Sequence, residues 1–114
     1  MTTEPLPLSA MAAPLMALSI FTDRYRHLPA PRVSISTVYP TLLELSFHDD
    51  PDGFEMWRQA LGIRRNTVQH SVQGDGRTAV MKAETNHSGG PVKLICFTTI
   101  PAPQGGRSRA EDVS

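Results

Sequence analysis

His48-Asp49-Asp50-Pro51-Asp52 places one imidazole beside three carboxylates within five residues, the densest set of potential metal ligands in the chain. An imidazole with carboxylate oxygens suits a divalent cation, so His48, Asp49, Asp50 and Asp52 are the metal candidates. The same residues also have a structural reading. Asp50 can cap a helix, Pro51 suits the first helical position, and Asp52 with Glu55 sets negative charge at the positive end of the helix dipole. A calcium loop of the EF-hand type needs oxygen ligands at alternate positions and a glutamate at its twelfth, and this run lacks that pattern. The structural reading therefore takes precedence.

His48 and Asp49, with His70, are the candidates for acid or base chemistry, because an imidazole exchanges a proton near neutrality. His70 alternates with Val68 and Val72 and is expected on their face, as a hydrogen-bonded histidine at the edge of the core. Arg64, Arg65 and Arg77 flank the strand that carries it, and guanidinium groups bind phosphate or carboxylate through two parallel bonds. They are the candidates for a polyanionic partner, nucleic acid included. Cys96 lies in the apolar run Val92-Lys93-Leu94-Ile95-Cys96-Phe97 and reads as a packed strand cysteine. Ser34, Ser36, Ser46 and Ser71 read as solvent-facing strand serines, and none occupies a nucleophile elbow. Gly74-Asp75-Gly76 lacks phosphate-loop spacing and precedes a strand, so it reads as a hairpin turn. No cofactor-binding signature is present.

The elements that would hold these residues can be read from periodicity. Met11, Leu15, Leu18, Thr22 and Tyr25 recur at three- and four-residue steps and predict an amphipathic helix from near Pro14 to His27, ended by Leu28-Pro29-Ala30-Pro31. Val33, Ile35 and Tyr39, then Leu43, Leu45 and Phe47, alternate with polar residues and predict two strands joined around Tyr39-Pro40-Thr41. A second helix runs from Pro51 to about Leu61, with Phe54, Trp57 and Leu61 on one face and Gly62 as its stop. Thr67–Gln73, Arg77–Thr85 and Pro91–Ile100 are three further strands. Their connectors, Gly74-Asp75-Gly76 and Asn86-His87-Ser88-Gly89-Gly90, accept the positive φ of tight hairpins. The order α-β-β-α-β-β-β predicts an α+β fold, a mainly antiparallel sheet of about five strands with two helices on one face. Leu42, Val38, Ile95 and Phe97 are expected on the uncovered face. Residues 1–13 are expected to be a flexible leader, 14–100 a single domain and 101–114 a disordered tail.

With 114 residues, 39% of them hydrophobic, the chain has room for one core. Eleven basic residues balance eleven acidic ones, which argues against a broad electrostatic grip on nucleic acid. A single cysteine forms no internal disulfide and suits a reducing cytoplasm. The apolar stretch from Leu6 to Phe21 follows Glu4, is interrupted by proline and falls short of a membrane span, so neither export nor a membrane partner is expected.

The run Leu28-Pro29-Ala30-Pro31, the serine-bearing strand after it, Leu45-Ser46-Phe47-His48-Asp49-Asp50 and Gly53-Phe54-Glu55-Met56-Trp57-Arg58-Gln59-Ala60-Leu61-Gly62-Ile63 together resemble small uncharacterised proteins of actinobacterial genomes and their phages or plasmids. The resemblance covers roughly residues 15–100. It implies an accessory role on a mobile element and brings no catalytic residue with it. The resulting expectation is a non-enzymatic cytoplasmic module that works through a protein partner or a second copy, by its open sheet face or an edge strand. The alternatives are a metal-assisted or acid/base enzyme built on the His48–Asp52 cluster, and nucleic-acid binding by the arginines.

Overall fold

A computed structural model describes residues 5–101, so the first four residues of the expected leader and residues 102–114 of the expected tail lie outside it. A 3-10 turn, Leu8–Met11, leads into helix α1, Ala12–Arg24. The helix starts two residues before Pro14, which is tolerated because the first-turn N–H groups have no helical acceptor. It also ends before His27. The Tyr25 N–H still bonds the Phe21 carbonyl at 2.8 Å, but the Tyr25 hydroxyl reaches the Ala60 carbonyl at 3.2 Å and Trp57 Nε1 takes the Pro29 carbonyl at 2.7 Å. These bonds draw the chain off the helical path and across helix α2, Pro51–Ala60.

The strands are β1 Arg32–Ser34, β2 Leu43–His48, β3 Gln69–Val72, β4 Thr78–His87 and β5 Gly90–Thr99. They form one sheet in the order β1-β2-β5-β4-β3. Three of its pairings are antiparallel and β2–β5 is parallel, so the sheet is mixed and mainly antiparallel. The parallel pair arises because α2 carries the chain back to the end where β2 began. Two hairpins then leave β5 running in the direction of β2. The β4–β5 hairpin turns on Ser88 and Gly89, both at positive φ (56° and 84°), as a two-residue connection of this kind requires.

Register divides the sheet into two faces. Leu43, Leu45 and Phe47 of β2, Val92, Leu94 and Cys96 of β5 and Ala83 of β4 meet Ala17 and Phe21 of α1 and Phe54 and Trp57 of α2 in one core. Both helices therefore cover the same face. Within α1 the buried residues are Pro14, Ala17 and Phe21, while Leu15 is exposed. The apolar stripe read from the sequence is thus rotated, because the aromatic cluster of Phe21, Tyr25 and Trp57 sets the helix orientation.

Strand β1 stops at Ser34, well before the expected Tyr39. Ser36 Oγ accepts the Val38 N–H at 3.0 Å and the Leu42 N–H bonds the Tyr39 carbonyl at 3.1 Å, so this segment spends its backbone on turns. Val38 consequently lies in an exposed loop rather than on the sheet. Ser46 faces the uncovered side yet is buried, between Arg32 of β1 and Ile95 of β5. Among the described residues, no helix is long and apolar enough to cross a membrane.

Candidate functional site

The His48–Asp52 turn is built, and two of its carboxylates, Asp49 and Asp50, are in use. Asp49 sits at positive φ (56°), a conformation aspartate tolerates. Its N–H bonds the Phe97 carbonyl at 2.7 Å, and its carboxylate accepts the Thr99 N–H at 2.7 Å and the Thr99 hydroxyl at 3.3 Å. Asp49 therefore staples the end of β2 to β5. Asp50 Oδ1 accepts the Gly53 N–H at 3.0 Å as the cap of α2, with Pro51 next and Asp52 exposed in the first turn. His48 turns to the uncovered sheet face, where it stacks on Phe97 with ring centroids 5.1 Å apart. Among the described residues, no three His, Cys, Asp or Glu side chains converge as a metal set.

The structure does not bring His48 and His70 together. His48 shares a row with Phe97 and Val80 on the uncovered face, whereas His70 stands opposite Met81 on the helix side, the face of Val68 and Val72. His70 is nevertheless exposed, because β3 lies beyond the span of the helices. The three arginines are also dispersed. Arg64 and Arg65 precede β3 and Arg77 follows it, so the length of the strand separates them. Arg65 Nη2 is 3.0 Å from Glu55 Oε2.

Glu55, whose position in the sequence predicts only a complement to the helix dipole, is the centre of an ion-pair group. Arg58 is buried and gives Nη2 to Glu55 Oε2 at 2.5 Å and Nε to Oε1 at 2.9 Å, while its Nη1 donates to the Ile63 carbonyl. The hydrogen bond from Arg58, with lesser ones from Gln59 and Arg65, lowers the Glu55 carboxyl from 4.5 to about 2 against the opposing effect of burial. The Glu–Arg spacing of three residues on a helix was the available signal. The group fastens the end of α2 to the segment that enters β3.

Three surfaces stand out among the described residues. An apolar groove of ≈ 360 Å³ runs between α1 and the chain entering β1, past Leu18, Tyr25, Leu28, Pro31, Val33 and Trp57. Its polar groups are engaged: the Tyr25 and Trp57 donors as above, the Thr22 hydroxyl with the Ser19 carbonyl and Arg26 with Asp23. On the uncovered sheet face, Val80 and Ile95 are only 5% and 6% exposed, so their neighbours already close over the apolar centre.

The third surface is the β3 edge. Strand β1, the other edge, is guarded by Pro29, Pro31 and Arg32, devices that discourage strand addition. From Thr67 to Gly74, β3 and its flanks carry neither charge nor proline. All four β3 residues are exposed, Val72 at 58%. On the helix side His70, Val72, Ala79, Met81 and Thr98 line a shallow hollow of ≈ 420 Å³ beside this edge.

No family model, no curated protein and no solved structure matches this chain.

Proposed function

We propose that this protein is a non-enzymatic interaction module of the cytoplasm that binds by adding a strand to the β3 edge. The observation that carries the reading is the contrast between its two edges: β1 is blunted by proline and arginine, and β3 is neutral, carries exposed Val72 and is left open among the described residues. Main-chain groups on such an edge supply affinity, and alternate side chains supply selectivity. Cys96 is buried in the core, which suits a reducing compartment. Asp49 and Asp50 hold the turn and the helix cap, and His48 is stacked on Phe97. The resemblance to proteins of actinobacterial mobile elements fits an accessory role of this kind.

The test is a comparison of tagged wild-type protein with His70→Pro and Val72→Lys, each mixed with untagged copies and with host lysate treated with nuclease. A partner, of whatever identity, retained by the wild type and lost by both variants supports the edge. Retention that is the same for all three proteins, or none at all, overturns it.

A further inference from the structure

We infer that the strand added to β3 is β3 of a second copy of this chain, paired antiparallel about a two-fold axis through His70. The inference rests on the edge reading and names its occupant. A two-fold axis normal to the sheet keeps helix side beside helix side, so residues that stand opposite must project to the same face. With a pleat of period two, the axis must then pass through a residue and not between two.

The direction of the backbone groups can be read from the turn. Gln73 N–H bonds the Thr78 carbonyl at 2.8 Å, and in this register Gln69, Ser71 and Gln73 point their backbone toward β4. His70 and Val72 therefore point theirs outward, where a second strand can meet them.

Centring on His70 sets Val68 opposite Val72 of the other copy, twice by symmetry, on the helix side. Centring on Ser71 instead sets Val68 against Gly74. That register loses the apolar pairs, so the His70 axis is favoured. At the axis the two His70 backbones exchange N–H and carbonyl bonds. Around them, Ala79, Met81 and Ala83 of β4 add no charge on that face. The result is one continuous sheet of two copies with the four helices on one side.

Strand pairing alone gives a strip smaller than the ~800 Å² per partner of a standard interface, so dissociation in the micromolar range is expected. Sedimentation of the full chain from about 1 to about 300 µM spans that range. The wild type should pass from monomer to dimer. His70→Pro removes an outward N–H and leaves the bonds to β4, and Val72→Lys places a charge on an exposed edge position; both should sediment as monomers with an unchanged circular dichroism spectrum. Val38→Lys, on an exposed loop elsewhere, should dimerise as the wild type does. A wild type that stays monomeric, or a dimer that survives both edge variants, overturns the inference. If the wild type is monomeric but retains a different protein in an edge-dependent way, the second copy is excluded and the edge reading stands.

Discussion

Glu55 shows how one carboxylate holds a junction together. Its acidity is raised first by the hydrogen bond from Arg58 and then by those from Gln59 and Arg65. Because its folded value of about 2 lies below the ordinary 4.5, the unfolded chain takes up its proton first as pH falls. The stabilisation is fully present above about 4.5 and is lost as pH drops through about 2. Urea midpoints measured across this window should fall with acidification in the wild type, and Glu55→Gln should flatten that slope. A slope unchanged by the substitution would assign it to other carboxylates. Arg65 touches the same oxygen from the surface, so Arg65→Ala should cost less than about 1 kcal/mol. Asp49 also works locally, and Asp49→Ala should speed amide exchange at Thr99, whose N–H it accepts.

At the scale of the element, the entry to α2 couples two residues. The Asp50 carboxylate lies over the first turn so closely that a Cβ on Gly53 would overlap it. Asp50→Ala should cost about 1 kcal/mol through loss of the cap. Gly53→Ala in the wild type should yield little or no gain, because improved helix propensity is offset by displacement of the cap. In the Asp50→Ala background the same substitution should recover the propensity gain of up to ~1 kcal/mol. A cycle of the four proteins by chemical denaturation checks this, and additive effects would sink it. The start of β5 is tighter. A Cβ on Gly90 would stand 2.5 Å from the Thr41 carbonyl oxygen and 3.1 Å from the Ala13 methyl. Backbone cannot yield as a side-chain tip can, so Gly90→Ala should cost ~1–3 kcal/mol. A melting temperature equal to that of the wild type would contradict this.

For the whole molecule, the open edge has a thermodynamic consequence. If the native state pairs through β3, its melting temperature should rise with protein concentration, while that of Val72→Lys should not. The mixed sheet explains why an edge is available here. Since β5 returns to lie beside β2, the hairpin partners β4 and β3 are stacked outward, and β3, the last of them, lies past the reach of the helices. The strand that leaves the helical cover last is the one with neither charge nor proline.

The sequence by itself determined whatever depends on near neighbours. The cap at Asp50, the helix from Pro51 and the positive-φ turns at Gly76 and at Ser88-Gly89 follow from local backbone preference. Leu43, Leu45 and Phe47 lie on one buried face, as period two requires. The α+β class followed from the order of these elements, and His70 was placed on the face of Val68 and Val72. Only tertiary structure decided the features set by distant parts of the chain. The parallel β2–β5 pair and the Asp49–Thr99 staple join residues about fifty positions apart, and no local pattern encodes such a meeting. The rotation of α1, the early end of β1, the separation of Arg64 and Arg65 from Arg77 and the opposite faces of His48 and His70 have the same origin. Each depends on which strand lies beside which, and that order is selected by burying one shared core beneath two helices.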